Sequence, residues 1–370
     1  MRKAILFPGK YIQGRGVAGE IGAVIKGFSK KPFLIWGKTA RAFTSEQVIA
    51  SLKKEGLSYA EFLFTGESTK KICADMVEKA RSEGCDFVIG LGGGKVLDIS
   101  KAVAARIGAR CMMAPTVAAS DAATSAHTVW YTDDSVLDDI SSWEFNPDIV
   151  LADLDVLIKT PPRMLGAGIG DALATYIEAR LCYRKYCVTS SGGSPTLASL
   201  ALCKLCYDVI MEYAREAVEN VKCGVITPGF EKLIEAVILL SGIGWENGGT
   251  AIAHQLGIRL TWFNETHHLM HGEEVAFGII TQLCLDHDQD LGEACEIVDL
   301  MIDVGLPVTF KEMGLDRVSR ERLRSFAERL LETVGNNLNA NFIIVPDDIV
   351  SAMCAADSLG TRRKALKGII

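Results

Sequence analysis

The chain has 370 residues, of which 49% are hydrophobic and 23% charged, with 35 glycines and 10 prolines. This length corresponds to about two to three domains, and the apolar content suffices for a large core, which excludes a disordered or collagen-like protein. Because 39 Lys and Arg residues face 46 Asp and Glu residues, the net charge is −7, and we expect no nucleic-acid partner.

Short apolar runs alternate with helical patterns up to about residue 160. The runs predict strands at 32–36, 59–64, 86–90 and 149–152. The segments between them, such as SEQVIASLKKEG and DISKAVAARIG, have apolar positions at helical spacing. Strands that alternate with helices are typical of a parallel sheet covered on both faces, so we predict an α/β Rossmann-like fold for this part.

The second part of the chain is predicted to be helical. Long helical patterns dominate after about residue 163, for example ALATYIEARLCYRKY and EACEIVDLMIDVG. Thr160, Pro161 and Pro162 form a stiff junction, because consecutive prolines resist helix formation. We therefore predict an α/β domain over 1–160 and a helical domain over 163–370.

The N-terminus and the hydropathy pattern predict a cytoplasmic protein. The first residues, MRKAILFPGKYIQG, contain no long apolar core followed by a cleavage site, so we expect no signal peptide. No stretch reaches the roughly 20 apolar residues that a membrane span requires, so we expect no membrane partner.

Eleven cysteines are scattered along the chain. Cys203 and Cys206 form a CxxC pattern, which occurs in redox and metal sites. They lie in a long helical pattern without turn residues, and thiols in a reducing cytosol are usually buried. We predict that both are core thiols.

A glycine-rich turn is the first candidate binding site. The segment IGLGGGKVLD ends a predicted strand and opens a helix. Gly92, Gly93 and Gly94 allow backbone N–H groups to approach a pyrophosphate, and the helix N-terminus adds a partial positive charge. Lys95 can add a full charge. The pattern differs from GxGxxG, so a tight turn without a ligand is the alternative.

A hydroxyl-rich stretch follows the apolar run at 111–115. Loops that leave the carboxyl ends of parallel strands are where doubly wound folds bind ligands. Thr116, Ser125 and Tyr131 are suited to a nucleotide or ribose, and Asp121 to a hydroxylated substrate. A polar loop without a ligand is the alternative here.

Asp171, His254 and His271 form the strongest candidate site. One carboxylate and two imidazoles give a metal ion three protein ligands and leave one coordination position open. Lewis-acid catalysis requires such an open position.

The other histidines near this site provide alternatives. His267 and His268 are close enough in sequence to His271 to be ligands or supporting groups. His287 lies in a charged run and is predicted to be solvated.

The chain resembles the glycerol dehydrogenases of the iron-containing alcohol dehydrogenase superfamily. Besides the glycine turn, the resemblance is carried by PGKYIQG, APTVAASDAATSA, VWYTDD, AGIGDALATYIEAR, AHQLGIRLT and HHLMHGEEVAFG, which occur in family order. It implies a dehydroquinate synthase-like fold, with a nucleotide-binding α/β domain, a helical metal-binding domain and a metal in the cleft between them. It implies that Asp171, His254 and His271 bind the metal and that Asp121 contacts the substrate.

The resemblance also implies a set of cofactor contacts, with His127 acting through its backbone. These residues are Gly92, Gly93, Gly94, Lys95, Asp98, Thr116, Ser125, His127 and Tyr131.

Two residues depart from the patterns of related enzymes. Iron-dependent members carry a histidine four residues after the ligand aspartate, where this chain has Thr175, and three ligands favour Zn²⁺ over Fe²⁺. Lys38 stands where glycerol dehydrogenases carry an aspartate for the adenosine ribose. Because a lysine can pair with a 2′-phosphate, the cofactor is expected to be NAD or NADP.

The resemblance implies an enzyme that transfers hydride reversibly between a nicotinamide cofactor and a small polyol or ketone, such as glycerol and dihydroxyacetone. A first alternative is an NADP(H)-preferring reductase of 2-oxo acids or other small ketones. Asp121 would repel the carboxylate of a 2-oxo acid. A second is a carbon–oxygen lyase of the 3-dehydroquinate synthase type, which would need a basic cluster for a phosphorylated substrate. A third is a non-catalytic binding protein. Family members commonly form closed assemblies, so we expect a homo-oligomer.

Overall fold

The computed structural model describes residues 2–134, 136–286 and 290–369. His287 therefore lies outside the described residues. The chain forms two compact units. The sheet unit consists of Leu6–Pro161 and Asn220–Gly242, and the helical unit of Met1–Ile5, Pro162–Glu219 and Ile243–Ile370.

These units differ from the predicted domains 1–160 and 163–370 in two segments. Asn220–Gly242 belongs to the sheet unit, where the side-chain amide of Gln13 donates to the Glu231 carbonyl at 2.9 Å. The first residues belong to the helical unit, because the Ser194 N–H donates to the Arg2 carbonyl at 3.0 Å. Sequence periodicity does not report such long-range contacts, so neither segment could be placed from it.

Six parallel strands form the sheet of the sheet unit, in the order β1–β8–β5–β4–β2–β3. The four predicted strands correspond to β2, β3, β4 and β8, each within two residues at either end. The strands of the unit are β1 (Lys10–Gly14), β2 (Pro32–Gly37), β3 (Ala60–Phe64), β4 (Phe87–Gly92), β5 (Arg110–Pro115), β6 (His127–Tyr131), β7 (Leu137–Ser142) and β8 (Ile149–Asp153).

Both faces of this sheet are buried in its central strands, which is typical of parallel sheets. Alternate residues point to one face, where Trp36, Ile89 and Met112 pack with Ile21 and other helix residues. Their neighbours on the other face are equally buried. The helices of the unit are α1 (Ile21–Ile25), α2 (Lys38–Lys54), α3 (Lys70–Ser82), α4 (Gly94–Ile107), α5 (Leu154–Leu157) and α8 (Pro228–Glu235).

The strands β6 and β7 form a separate antiparallel pair. The sequence analysis treated the end of the hydroxyl-rich stretch as loop, because its polar residues interrupt the apolar alternation. The Trp130 indole N–H donates to the Ser141 hydroxyl at 2.8 Å, which ties the two strands together. Residues 127–131 are therefore held in an ordered strand.

The helical unit confirms the helical second part of the chain. No helix among residues 2–134, 136–286 and 290–369 is long and apolar enough to cross a membrane. The segment Ala236–Leu240, which belongs to the sheet unit, is π-helical, a local feature that the continuous apolar pattern did not reveal. The remaining helices are α6 (Pro162–Lys185), α7 (Leu197–Cys223), α9 (Ser241–Gly248), α10 (Ile252–Leu260), α11 (His271–Leu285), α12 (Leu291–Asp303), α13 (Phe310–Met313), α14 (Arg320–Val334) and α15 (Pro346–Leu366).

The CxxC thiols are both fully buried, as predicted. Cys203 Sγ lies 3.7 Å from the Gly244 carbonyl oxygen, and Cys206 Sγ lies 3.8 Å from that of Ala172. Both thiols thus contact backbone of neighbouring helices within the core.

A buried ion pair fixes the hydroxyl-rich loop of the sheet unit. Lys101 Nζ lies 2.9 Å from Asp98 Oδ1 and donates to the carbonyls of Ala122, at 2.8 Å, and Ser125, at 3.1 Å. The second oxygen of Asp98 accepts the Val129 N–H at 2.9 Å. One charge pair therefore anchors both the loop and β6 to α4.

We expect Lys101→Met to lower the free energy of unfolding by about 3–5 kcal/mol, because Asp98 would stay buried without its cation. Urea denaturation measures this change. Lys53→Met, at an exposed lysine of α2, is the matched control and should change stability by less than about 0.5 kcal/mol. Equal effects of the two substitutions would contradict a structural role for the buried pair.

Candidate functional site

Three helices of the helical unit bring the predicted metal ligands together. Asp171 lies within α6, His254 within α10, and His271 is the first residue of α11. Asp171 Oδ1 lies 3.3 Å from His254 Nε2 and 3.4 Å from His271 Nε2. Within the part of the chain that the structure describes, this is the one group of three metal-ligating side chains whose ligand atoms lie within 4.8 Å of one another.

The three side chains differ in exposure. Those of Asp171 and His254 are 2% and 3% exposed, whereas that of His271 is 42% exposed. Solvent therefore reaches the group from the His271 side, where an additional ligand can approach.

Glu178 orients His254, and the sequence analysis did not identify it. Its Oε2 accepts a hydrogen bond from His254 Nδ1, and its Oε1 accepts the backbone N–H groups of Ala251, at 2.7 Å, and His254, at 2.9 Å. Because an ionised carboxylate only accepts, Nδ1 carries the hydrogen and Nε2 is directed to Asp171. Asp171 and Glu178 are seven residues apart on one helix, a spacing that places them on one face and could have revealed this residue.

The charges of the group favour a cation. Burial by itself raises the pKa of Asp171, but the imidazoles of His271 and His254 lower it well below its ordinary value. Burial by itself lowers the pKa of His254, but the carboxylates of Glu178 and Asp171 raise it well above its ordinary value. Two buried carboxylates thus attract positive charge to the space beside His254 Nε2.

Glu274, one helical turn after His271, adds no charge at neutral pH. Burial raises the pKa of Glu274 to about 9, and the neighbouring Glu273 carboxylate contributes to this rise. The negative charge beside the imidazoles therefore comes from Asp171 and Glu178.

An arginine–glutamate pair fixes the first turn of α11 and with it His271. Arg163 Nε and Nη2 donate to the two oxygens of Glu273 at 2.6 and 2.7 Å. The same carboxylate accepts the Met270 N–H at 2.8 Å, and Arg163 also donates to the His268 carbonyl at 2.9 Å. Bidentate pairing of this kind holds both position and orientation.

Glycines allow the three helices to approach closely enough for the ligands to meet. A β-carbon at Gly272 would lie 1.8 Å from the Ala167 carbonyl oxygen, so α6 and α11 could not pack with a larger residue there. A β-carbon at Gly278 would lie 2.3 Å from the Ala253 carbonyl oxygen, which sets the spacing of α10 and α11.

His267 and His268 take no part in this group. His267 Nε2 lies 3.0 Å from the Thr261 carbonyl oxygen, and His268 Nδ1 lies 3.0 Å from that of Glu265. Both side chains contact the backbone of their own loop, which the sequence could not distinguish from metal ligation.

The glycine turn lies at the switch point of the parallel sheet. From β2 the chain continues to β3 on one side, whereas from β4 it continues to β5 on the other. Such a reversal marks the ligand-binding crevice of doubly wound sheets.

Two helices begin at this switch point. Lys38 begins the helix after β2 and is exposed, and Gly93 caps the helix after β4 without any side-chain hydrogen bond. A β-carbon at Gly37 would lie 3.7 Å from Gly92 Cα, so the two turns are adjacent.

Several other predicted cofactor residues surround this turn. The Thr116 N–H donates to the Gly92 carbonyl at 3.0 Å, and Lys95 Nζ lies 5.1 Å from the ring centroid of Tyr131. Lys95 Nζ also lies 2.6 Å from an oxygen of Glu67, which the sequence analysis did not consider.

The remaining predicted residues of the sheet unit belong to the loop and to β6. Ser125 and His127 are buried, and Asp121 is half-buried. Asp98 uses both carboxylate oxygens inside the unit, so its predicted cofactor contact has no support in these hydrogen bonds.

The class of protein follows from this fold together with its relatives. Residues 8–154 match the family model described as iron-containing alcohol dehydrogenase. A crystal structure of glycerol dehydrogenase from Schizosaccharomyces pombe superposes with a TM-score of 0.92 at 30% identity, covering 100% of this chain and 94% of that one. The chain is thus a nicotinamide-dependent, metal-binding alcohol dehydrogenase by family.

Comparison of whole sequences identifies the branch. The chain is 36% identical over 363 residues to glycerol dehydrogenase of Pseudomonas putida, covering 97% of this chain and 98% of the relative. It is 37% identical over 365 residues to glycerol dehydrogenase of Escherichia coli O6:H1, covering 98% of each. The chain belongs to the glycerol dehydrogenases of the iron-containing alcohol dehydrogenase family.

We expect Glu178→Gln to weaken zinc binding about 10- to 100-fold. A glutamine that accepts both backbone N–H groups must turn its NH₂ towards His254 Nδ1, which places the ring hydrogen on Nε2 and removes the metal-binding lone pair. Titration of zinc into the metal-free protein against a competing chelator measures the affinity. Glu296→Gln, at an exposed position of α12, is the control, and equal zinc affinities of the two variants would contradict this role.

We expect Gly272→Ala to destabilise the protein by about 1–3 kcal/mol and to weaken zinc binding, because the methyl group forces α6 and α11 apart. Thermal unfolding and zinc titration check both effects. Gly27→Ala is the matched control, since no atom lies within 4 Å of a β-carbon there. Unchanged zinc affinity in Gly272→Ala would show that helix spacing does not control the site.

Proposed function

We propose that this enzyme oxidises glycerol or a related vicinal diol to the hydroxyketone, reversibly, with NAD or NADP. The observation that carries the proposal is the convergence of Asp171, His254 and His271, oriented by Glu178, in a chain that matches glycerol dehydrogenases over nearly its full length. The relatives supply the substrate class, and the site supplies the chemistry.

The residues present fit a divalent metal ion, and we propose zinc. Imidazole and carboxylate donors suit zinc, and the three ligand atoms are already close together. A histidine in place of Thr175 would bring a fourth ligand, whereas the methyl group of Thr175 packs against Gly244, where a β-carbon would lie 2.2 Å from it. Zinc bound by these residues supplies a Lewis acid for an alcohol or carbonyl oxygen.

The protein residues act mainly by fixing geometry. Glu178 holds His254 in the tautomer that directs Nε2 to the site, and Arg163 with Glu273 holds the turn that carries His271. These groups are positioned before substrate arrives, so little reorganisation accompanies the reaction.

Asp121 is proposed to accept a hydrogen bond from a second hydroxyl of the substrate. The Lys101 contacts fix the loop that carries it. A carboxylate at this position selects a vicinal diol and repels the carboxylate of a 2-oxo acid.

The cofactor is proposed to bind at the switch point of the sheet. The N–H groups of Gly94 and Lys95 precede the first hydrogen bonds of α4, which the Val96 and Leu97 N–H groups make to the Gly93 carbonyl at 2.9 and 3.1 Å. N–H groups at this end of a helix are suited to a pyrophosphate. Thr116, Ser125, His127 and Tyr131 are proposed as further contacts, and Lys38 as the neighbour of the adenosine ribose.

The oligomeric state and the cellular location of the enzyme are also proposed. We infer a homo-oligomer on the basis of the family resemblance, and a cytoplasmic location on the basis of the sequence pattern. Sedimentation of the purified protein tests the assembly, and fractionation of cells tests the location.

A matrix of cofactors and substrates tests the proposed activity. NAD and NADP are each combined with glycerol, butanediol and 2-hydroxy acids, and the reduced cofactors with the corresponding carbonyl compounds. We expect the highest kcat/KM for a vicinal diol. Preference for a 2-hydroxy acid would favour the reductase alternative, and product formation without net change in reduced cofactor would favour the lyase alternative.

We expect chelation of the metal to abolish turnover and zinc to restore it. His271→Ala should lose both zinc and activity, because two remaining ligands seldom hold a catalytic ion tightly. Metal analysis and rate measurement on the same samples check this. Full turnover by protein without metal would contradict the proposal.

We expect Lys38→Asp to shift the ratio of kcat/KM from NADP towards NAD by about tenfold or more, because a charge-assisted contact of about 1.5–3 kcal/mol is replaced by repulsion. Lys38→Met should give an intermediate ratio, since it removes only the attraction. Lys54→Asp, at the other end of α2, is the control. An unchanged ratio in Lys38→Asp would show that Lys38 does not contact the cofactor.

A further inference from the structure

The C-terminal end of α6 brings two cysteines together. Tyr186 adopts a left-handed conformation with φ 56°, which ends the helix. The Cys187 N–H donates to the Cys182 carbonyl at 3.0 Å, and the Tyr186 N–H donates to the Tyr183 carbonyl at 3.3 Å. These two hydrogen bonds define a Schellman motif, in which the side chains at the positions of Cys182 and Cys187 contact each other.

The two thiols differ in reactivity. They are hydrogen-bonded to each other, and this contact, followed by burial, raises the pKa of Cys182 well above its ordinary value. The same hydrogen bond lowers the pKa of Cys187 to about 7, although burial opposes the change. Cys187 is therefore the nucleophile of the pair, and it is 8% exposed, whereas Cys182 is fully buried.

Cys182 also supports the turn that precedes α10. Its Sγ donates to the Thr250 carbonyl at 3.3 Å, and a β-carbon at Gly249 would lie 3.0 Å from the same sulfur. The next residue, Ala251, donates its N–H to the Glu178 carboxylate that orients His254. A short series of contacts thus connects this thiol with one of the proposed metal ligands.

We propose that Cys182 and Cys187 form a modification site for hydroperoxides, and that closure of a disulfide between them weakens metal binding at His254. The spacing of Cys182 and Cys187 matches no redox motif, so the sequence alone does not reveal this pair. The disulfide itself is independent of the proposed function, whereas its effect on the metal rests on the proposed zinc site.

The disulfide forms in two steps. The Cys187 thiolate attacks one oxygen of the hydroperoxide, the O–O bond breaks, and Cys187 becomes a sulfenic acid while an alkoxide or hydroxide leaves and takes a proton. The Cys182 sulfur then attacks the sulfenic sulfur, the S–S bond forms, the S–O bond breaks and water leaves. Two thiols are oxidised, and one peroxide is reduced to water and an alcohol, or to two waters. A small dithiol reverses the reaction.

Disulfide formation should alter the support of His254. In the disulfide, Cys182 has no S–H to donate to the Thr250 carbonyl, and its sulfur is bonded to that of Cys187. The turn at 249–251 then loses its hydrogen bond from Cys182, which weakens the support of the Ala251 N–H that donates to the Glu178 carboxylate.

Peptide mapping of the zinc-loaded enzyme tests the modification directly. Arg184 and Lys185 lie between the two cysteines, so trypsin separates them unless a disulfide joins the peptides. After treatment with hydrogen peroxide, we expect a linked pair of peptides containing Cys182 and Cys187, which dithiothreitol separates. Absence of this linkage, with the cysteines still reduced or over-oxidised, would overturn the proposal.

Zinc affinity tests the effect on the site. We expect the dissociation constant for zinc, measured by chelator competition, to rise about tenfold on oxidation and to recover with dithiothreitol. Cys187→Ala should keep the affinity of the untreated enzyme before and after peroxide. Cys223→Ser, at an exposed thiol, is the matched control and should respond like the wild type.

Two further outcomes would overturn the coupling. Linkage without a change in zinc affinity would show that the pair is oxidised without affecting His254. A loss of affinity in Cys187→Ala equal to that of the wild type would assign the peroxide effect to another group. If the untreated enzyme binds no zinc while the peptides still become linked, the proposed metal site fails and the modification site stands.

Discussion

The close approach of three helices is the constraint on which the helical unit depends. The predicted ligand atoms of Asp171, His254 and His271 lie within 4.8 Å of one another, and α6 and α10 each approach α11 closely. Gly272 and Gly278 make this possible, since a methyl group at either position would overlap a carbonyl oxygen of the facing helix. Close packing alone would leave the imidazoles free to rotate, and buried carboxylates supply the missing orientation. The arrangement of the three predicted ligands is therefore a property of the packed helices rather than of a loop.

The predicted cofactor site of the sheet unit also depends on few side chains. Its glycine turn follows β4 at the point where the strand connections reverse, so the N-terminus of α4 lies at the switch point where parallel sheets bind ligands. The buried pair of Lys101 and Asp98 holds the adjoining loop to the helix that this turn begins. Both units thus place few functional groups on rigid elements and fix them with buried charge.

The sequence revealed those features that depend on local pattern or on residue type. Strand and helix periodicity predicted four of the strands and the helical second part. Ligand chemistry together with family resemblance singled out Asp171, His254 and His271, which the structure brings together. Long-range contacts were not accessible in this way. The sequence alone does not distinguish Glu178 from other glutamates of the helical pattern, because its role depends on hydrogen bonds to residues 251 and 254. In the same way, Asn220–Gly242 joins the sheet unit through contacts with residues far away in sequence. The sequence did not reveal strand β6, although Trp130 within it is fully buried. The polar residues of this strand interrupt the alternation of apolar and polar positions that indicates a strand.

Anomalous diffraction at the zinc absorption edge, from crystals of the zinc-loaded protein, shows directly which residues bind the metal. The account predicts one strong anomalous peak about 2.0–2.2 Å from His254 Nε2, His271 Nε2 and a carboxylate oxygen of Asp171, with Glu178 still bonded to His254 Nδ1. A peak bound by other side chains, or no peak between these three residues in protein that contains zinc, would contradict it.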